Sequence, residues 1–289
     1  MMNLEEKQNR NIKLFPIYKM FAWDLLFYYA ISFLFFTEAK GMTVSDILLV
    51  EVSLYTFFKA VFQVPAIMFI DRYGKRNCLV FANILICISL LLIIISTNIT
   101  FFIVAHIIMA LGYVLKSLIE SNLLFDSIPD SETKRKKFSK LDSRGSSFYY
   151  CLNAVSSVAT GFLYLVNPYL PIIVCLMLTV FATAVSTFFT DTVREETQKE
   201  TVSKPSESAA AYLKELKYIF KYIVKSGRLR SLIIFYGLFQ SLIAVVNTLD
   251  KSLLNDLGVS ARIFRNRFCH SFTTCRYFVF FAKLFTQEV

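Results

Sequence analysis

Long apolar runs, each close to 20 residues, are the feature that most limits how this chain can fold. Seven of them occur, at approximately 18–36, 47–70, 78–96, 100–124, 146–166, 170–189 and 231–249. A run of about 20 apolar residues is long enough to cross a hydrocarbon layer of ~30 Å. Backbone polar groups find no water in lipid, so each run is expected to form a helix. The sequence therefore predicts an all-α fold, a polytopic transmembrane helix bundle.

The composition supports a membrane protein and argues against several other classes. Hydrophobic residues make up 56% of the chain, and the net charge is +10. We expect no nucleic-acid partner, because the basic residues lie in loops beside the apolar runs. Only two His occur and the six Cys form no CxxC pair, so no metal site and no cofactor are expected. The cysteines are interpreted as small packing residues. The first run lacks an A-x-A cleavage site and is interpreted as an uncleaved span.

The loops between the runs divide by charge, and this division predicts the orientation. With the N-terminus in the cytoplasm, the cytoplasmic segments hold 22 Lys and Arg residues. The outer segments 37–46, 97–99 and 167–169 hold only Lys40. Cytoplasmic loops of membrane proteins carry such an excess of positive charge. We expect a multi-pass protein of the cell (cytoplasmic) membrane, embedded in the lipid bilayer, with a cytoplasmic N-terminus.

Residues 190–230 separate the first six runs from the seventh. The stretch TDTVREETQKETVSKPSES is polar and predicts a flexible linker. The stretch AAAYLKELKYIFKYIVK follows, and its apolar residues recur at helical spacing among lysines. It predicts an amphipathic helix on the inner membrane surface, with a soluble linker helix as the alternative. The expected domains are a six-span bundle at 1–189, this cytoplasmic linker at 190–230, and a seventh span that begins a second half at 231–258.

The turn between the second and third runs carries a compact motif, Asp71-Arg72-Tyr73-Gly74-Lys75-Arg76. Gly74 allows a sharp turn at low steric cost. Its basic residues can bind headgroups or carboxylates, and Asp71 can stabilise the positive N-terminus of another helix. The motif resembles D-R-x-G-R-[KR], the loop signature of the major facilitator superfamily of secondary transporters. The stretch LLFDSIPD at 123–130 is similar to the end of span four in a prokaryotic branch of that superfamily. Ile67 stands where the family pattern has a Gly, four residues before the Asp.

This resemblance extends over about residues 15–258 and implies both a fold and a mode of action. Members of the superfamily have two six-span halves that rock around a substrate bound between them. The motif at 71–76 would form an inner latch between the two halves. Spans one, two, four and five would line the cavity of the first half.

Ionisable and polar residues inside the spans are the candidates for solute binding or coupling, because such groups usually face a cavity or each other. They are Asp24, Tyr28, Glu51, Lys59, Tyr113, Lys116, Glu120 and Asn153. Tyr113, Lys116 and Glu120 share one face of the fourth run, together with His106, for which a packing or hydrogen-bonding role is expected. We expect Asp24 or Glu120 to exchange a proton, with Lys116 as the charge partner. A fixed structural ion pair is the alternative.

Residues 259–289 break the pattern of the rest of the chain. The seventh run should end on the outer side, yet several basic residues follow it, against the charge rule. They are Arg262, Arg265, Arg267, Arg276 and Lys283. With a permissive choice of codons, the same tail read one nucleotide later can spell an apolar eighth span. We therefore expect a frameshifted tail, and a truncated carrier of about seven spans that does not transport alone.

The function follows from these features together. No P-loop or other catalytic constellation occurs, so neither an enzyme nor an ATP-driven pump is expected. The sequence favours transport of an unidentified small solute by a secondary, ion-gradient-driven carrier, with proton-coupled efflux as the commonest mode for this shape. Two alternatives remain, a non-transporting membrane scaffold or receptor and the non-functional product of a disrupted transporter gene.

Overall fold

The structure is a computed structural model that describes residues 3–191, 218, 221–222, 224–239 and 242. The predicted linker lies outside these residues from 192 to 217, and the predicted tail at 259–289 lies outside them entirely. The seventh run is described only in part, with residues 227–239 helical.

Helices make up the described part of the chain. They are α1 (Leu4–Ala22), α2 (Ser32–Leu34), α3 (Val44–Ile47), α4 (Tyr55–Tyr73), α5 (Lys75–Ile95), α6 (Ile99–Ser127), α7 (Lys134–Val166) and α8 (Leu170–Thr187). A π-helical stretch, Phe35–Ala39, follows α2, and another, Leu48–Leu54, joins α3 to α4. No strand occurs among the described residues, and the all-α fold class is confirmed.

Five helical segments of the described chain are long and apolar enough to cross a membrane. They are Val44–Tyr73, Lys75–Ile95, Ile99–Ser127, Lys134–Val166 and Leu170–Thr187. These segments coincide with the second to sixth apolar runs, so those five predicted spans are confirmed as helices.

The first apolar run departs from the single helix predicted over 18–36. Helix α1 ends at Ala22, and the chain turns through residues 23–31 before α2 begins at Ser32. Asp24 Oδ1 accepts the Leu25 N–H at 2.9 Å, a local bond that competes with a helical one. Phe27 has φ of 67°, outside the range of a right-handed helix. The prediction of one continuous helix over 18–36 is therefore wrong, because apolar content could not show the break at Asp24.

Helix α6 lies at the centre of the bundle. It packs against α1, α4, α5 and α7. Helix α8 packs in turn against α1 and α5. Helices α6 and α5 approach closely at Gly112, where an added Cβ would lie 2.9 Å from Ile86 Cγ1 and 3.0 Å from the Ala82 carbonyl oxygen. A small residue at such a contact lets two membrane helices approach closely.

The two ends of the bundle differ in charge. At one end α4, α6 and α8 finish while α5 and α7 begin. We call this the basic end, because it carries Arg72, Lys75, Arg76 and the basic first turn of α7 at 134–137. The opposite end carries the turns at 40–43, 96–98 and 167–169, with Lys40 as their one basic residue.

Candidate functional site

Asp24 lies at the break between α1 and α2 and is bonded to the middle of α6. Its Oδ1 accepts a hydrogen bond of 2.8 Å from the Tyr113 hydroxyl as well as the Leu25 N–H. None of the ion pairs in the described part of the chain includes Asp24. The structure therefore gives this carboxylate neutral donors in place of a cation.

Glu51, Tyr28 and His106 form a second group, toward the opposite end of the bundle. The Tyr28 hydroxyl donates to Glu51 Oε1 at 3.2 Å and lies 3.5 Å from His106 Nε2. His106 Nδ1 lies 2.9 Å from the Phe102 carbonyl oxygen. A carbonyl oxygen only accepts, so Nδ1 carries a proton, and the neutral ring presents a lone pair on Nε2. The Tyr28 hydroxyl can thus donate to either neighbour, and His106 takes a hydrogen-bonding role.

Lys116 and Glu120 form a third group, one turn of α6 beyond Tyr113. Lys116 Nζ lies 3.9 Å from Glu120 Oε1, and the Lys116 side chain is 5% exposed. Lys116 Nζ also lies 5.2 Å from the centre of the Tyr113 ring. Because Tyr113 bonds Asp24, the third group adjoins the first through a single side chain.

Two of the predicted candidates, Lys59 and Asn153, lie outside these three groups. Lys59 Nζ lies over the Tyr55 ring at 5.2 Å, and the Tyr55 ring contacts that of Tyr113. Lys59 therefore borders the first group. Asn153 is half-buried on α7, and its backbone carbonyl accepts the hydroxyls of Ser156 and Ser157. Within residues 3–191, no hydrogen bond joins the Asn153 side chain to the other candidates.

The sequence did not reveal a further buried ion pair, between α1 and α7. Lys19 Nζ donates to Asp142 Oδ1 at 2.5 Å and lies 3.8 Å from the centre of the Trp23 ring. Gly145 leaves space for the Lys19 side chain, because a Cβ added at residue 145 would lie 2.9 Å from Lys19 Cδ. The charge count assigned Lys19 to the basic loops, and no local pattern links it to Asp142. An aspartate among the basic residues of 134–144 was the one available signal.

The predicted loop motif is a tight junction at the basic end. Gly74 is the single residue between α4 and α5, with φ of 82° and ψ of 156°. Lys75 forms an ion pair with Asp126 near the end of α6. Arg76 donates its backbone N–H to Asp191 Oδ1 at 3.0 Å and its guanidinium to the Thr187 carbonyl at 2.9 Å. The motif thus joins the ends of α5, α6 and α8.

Arg72 and Asp71 precede this junction at the end of α4. The Arg72 guanidinium lies 5.5 Å from the centre of the Tyr73 ring. Both Arg72 and Asp71 are exposed. Their exposure is consistent with a surface position at the basic end.

A bundle of membrane-length helices with carboxylates, lysines and tyrosine hydroxyls bonded between its spans defines the class of polytopic membrane proteins. The family model described as Major Facilitator Superfamily matches residues 18–273. The chain belongs to this superfamily, and it is a multi-pass membrane protein whose family carries out transport. The matched range includes residues 259–273, the first part of the predicted tail. No individual curated protein sequence matches the chain.

Proposed function

We propose that this chain acts in secondary transport of a small solute, and that Glu120 is the group that exchanges the coupling proton. The observation that carries the proposal is the Lys116–Glu120 pair, with 3.9 Å between Nζ and Oε1, inside the bundle. Within the described part of the chain Glu120 Oε1 accepts no hydrogen bond, so Lys116 is the main partner of that oxygen. The sequence left Asp24 and Glu120 open as alternatives, and the geometry favours Glu120 because Asp24 has no ion pair there.

Proton exchange at Glu120 would change the charge balance at the centre of the bundle. Protonation removes the negative charge that compensates Lys116, and an uncompensated lysine inside a membrane bundle is costly. A state of the carrier that offers Lys116 another partner or water becomes favoured. Helix α6 packs against α1, which leads into Asp24, and against the π-helical stretch Leu48–Leu54, which carries Glu51, so a rearrangement at Lys116 reaches both carboxylates.

The proposal also places the basic end in the cytoplasm and the chain in the cell membrane. The exposed basic residues of 134–140 support this orientation. A cysteine at exposed Lys136, in a variant without the native cysteines, should be protected from a membrane-impermeant maleimide in intact cells. A cysteine at exposed Thr97, in the turn between α5 and α6, should react. The reverse pattern would contradict the orientation.

The proton-exchange role has a test that needs no known solute. Infrared difference spectra of the purified full chain, recorded across a pH titration, report protonated carboxyl groups. We expect a titrating carboxyl band that Glu120→Gln removes and that Lys116→Met moves to another pH. The exposed carboxylate of Glu38 gives a matched control, since Glu38→Gln should leave that band in place. An unchanged spectrum in Glu120→Gln would contradict the proposal.

Coupling to transport requires a flux measurement. Proteoliposomes that contain a version of the chain read one nucleotide later after residue 261, under an imposed pH gradient, should accumulate at least one of three radiolabelled probes, tetraphenylphosphonium, alanine or succinate. Glu120→Gln should abolish the effect of the gradient while exchange of the probe across the membrane persists. Gradient-driven flux that is equal in parent and variant would exclude Glu120 from coupling. The same assay on the chain with its given tail tests the expectation that this chain does not transport alone.

A further inference from the structure

An open groove lies at the basic end of the bundle, between the first half of α1 and the end of α8. Its volume is about 620 Å³, within the range of about 300–1,000 Å³ that is usual for ligand sites. The lining residues are Glu6, Asn9, Arg10, Lys13, Leu14 and Phe188. None of them belongs to the groups around Asp24, Glu51 and Glu120, so the proposed transport function gives this groove no role.

The groove lies at the depth where the membrane spans end. Asn11, in the same part of α1, bonds Thr190 just beyond α8 and Ser127 at the end of α6. Residues 6–14 of α1 therefore lie beside the last turns of two spans. The headgroup region of a bilayer begins where the apolar parts of its spans end. A ligand in this groove would thus lie at headgroup depth.

The charged part of the groove has a surplus of one positive charge. Arg10 and Lys13 are its two cations, and Glu6 is its one carboxylate. The Arg10 guanidinium carbon lies 5.7 Å from the centre of the Phe188 ring, so this side chain reaches across the groove toward α8. Glu6 Oε2 accepts the Asn3 N–H at 3.1 Å, which holds the carboxylate at the start of α1. The surplus matches the single negative charge of a phosphate diester.

The same side of α1 becomes apolar beyond the charged part of the groove. Leu14, Ile17 and Phe21 follow Arg10 at intervals of three or four residues, so all four share one face of the helix. Ile17 is 49% exposed, and the Phe21 ring packs edge-on against that of Phe181 at 5.2 Å. The exposed residues of α8 on this side recur at the same spacing; they are Phe181, Ala184 and Phe188. The charged groove therefore continues into an apolar path along α1 and α8.

We propose that this groove binds a phospholipid with one negative charge, its phosphate at Arg10 and Lys13 and an acyl chain along Ile17 and Phe181. Basic pockets beside membrane helices bind lipid headgroups in this way. A soluble phosphate compound would leave the apolar path uncovered, and a neutral lipid would leave the surplus positive charge unmatched. Glu6 opposes a second negative charge, so the groove selects against cardiolipin, which carries two. The placement in the inner leaflet rests on the proposed orientation, whereas the binding does not.

Photolabelling of the full chain in phosphatidylcholine nanodiscs tests the site. The probe is phosphatidylglycerol with a diazirine on one acyl chain, and peptide mass spectrometry locates the label. We expect saturable labelling within residues 14–21 and 177–188, which excess phosphatidylglycerol removes. Phosphatidylcholine with the same chains and soluble glycerol phosphate should not compete. Equal labelling by a phosphatidylcholine probe would show general lipid contact and overturn the proposal, and competition by glycerol phosphate would assign the groove to a soluble anion. Displacement by an added peptide of residues 192–208 would assign it to the linker and also overturn the proposal.

Variants separate the charges of the groove from its apolar path. Arg10→Gln and Lys13→Gln should each raise the half-saturating fraction of the probe about fivefold. Exposed Lys137, at the basic end but outside the groove, gives the matched control, since Lys137→Gln should change it less than about twofold. Ala184→Phe should reduce labelling by filling the apolar path while every charge remains.

Glu6 tests the selectivity of the groove. Glu6→Gln, which can keep the bond to the Asn3 N–H only through a rotated amide, should strengthen competition by cardiolipin. Parent-like labelling in both a folded Arg10→Gln, Lys13→Gln double variant and Ala184→Phe would overturn the proposal, as would an equal loss in Lys137→Gln. Gel filtration and thermal unfolding establish that each variant is folded.

Discussion

Asn11 and Thr190, which are 179 residues apart, are joined at the basic end by three hydrogen bonds. Asn11 Nδ2 donates to the Thr190 carbonyl at 2.7 Å, and Asn11 Oδ1 accepts the Thr190 N–H at 3.0 Å and its hydroxyl at 3.3 Å. Asn11 Nδ2 also donates to Ser127 Oγ at 2.9 Å. One buried amide on α1 therefore fixes the last residue of α6 and the chain just beyond α8, where the predicted linker begins.

Replacement of Asn11 should destabilise the basic end. Asn11→Leu leaves the half-buried Thr190 N–H and the buried Ser127 hydroxyl without this partner, at a cost of about 1–3 kcal/mol. We expect a lower midpoint of thermal unfolding in detergent and faster proteolysis near residue 191. Asn9 is exposed on the same helix, so Asn9→Leu should leave both measurements unchanged. Equal effects of the two substitutions would show that the bonds of Asn11 contribute nothing specific.

The ion pair between Lys19 and Asp142 should behave as a unit. The Lys19 side chain is 6% exposed and that of Asp142 is 29% exposed, so loss of either partner leaves a poorly solvated charge. We expect Lys19→Met and Asp142→Asn each to cost about 2–3 kcal/mol, less than a fully buried pair because water reaches Asp142. The double variant should be more stable than the sum of the single effects predicts. Additive losses in a double-mutant cycle of unfolding free energies would exclude coupling.

Gly74 should be the least replaceable residue of the loop motif. Its φ of 82° and ψ of 156° lie in a region that side chains exclude, and forcing one there costs about 1–3 kcal/mol. Gly41 also has positive φ, 65°, but lies in the left-handed region that Asn tolerates. Gly41→Asn should therefore be nearly neutral, whereas Gly74→Asn should lower the unfolding midpoint. Similar midpoints for the two variants would contradict this difference.

The contact between α5 and α6 depends on the absence of a side chain at Gly112. An added Cβ would meet the Ala82 carbonyl oxygen at 3.0 Å, and a backbone atom cannot rotate away. We expect Gly112→Ala to cost about 1–3 kcal/mol of stability. Gly161, on α7, has nothing within 4 Å of an added Cβ, so Gly161→Ala should gain about 0.5–1 kcal/mol. Thermal unfolding of the two variants in the same detergent compares them directly.

Much of the helical framework could be predicted from the sequence, because span length and loop position are local properties. The Gly74 turn followed from the motif, and five spans followed from apolar content alone. The break at residues 23–31 could not be predicted in this way. It depends on Asp24 Oδ1, which accepts the Leu25 N–H and the hydroxyl of Tyr113, a residue 89 positions away.

The sequence could predict which residues belong to the candidate site, but it could not predict most of the contacts between them. Lys116 and Glu120 are one turn apart, so helical spacing alone places them together. The bond of Tyr28 to Glu51 joins separate helical elements, and the pair of Lys19 with Asp142 joins helices 123 residues apart. Such pairings depend on how the helices pack around α6, which the composition of each span does not specify.

Lys40 is the one basic residue of the predicted outer segments 37–46, 97–99 and 167–169, and the structure gives it a local role. Its Nζ donates to the Ile94 carbonyl at 2.8 Å and the Ser96 carbonyl at 2.7 Å, at the end of α5. The last carbonyls of a helix lack partners within it and carry partial negative charge, so a cation there is favourable. The Tyr169 ring lies 5.2 Å from the same ammonium group.

Lys40 should therefore contribute to stability, even though a basic residue in an outer segment departs from the charge bias of the loops. Lys40→Met removes two hydrogen bonds to the end of α5 and should cost about 1–2 kcal/mol, measured as a lower unfolding midpoint. Exposed Lys140, at the basic end, gives the matched control, because Lys140→Met removes a charge without such bonds. If the Lys140 variant lost as much stability as the Lys40 variant, general charge would explain the effect and the capping role would be wrong. If only the Lys40 variant lost stability, the carbonyls that Lys40 satisfies would explain why a basic residue stands in the outer segment 37–46.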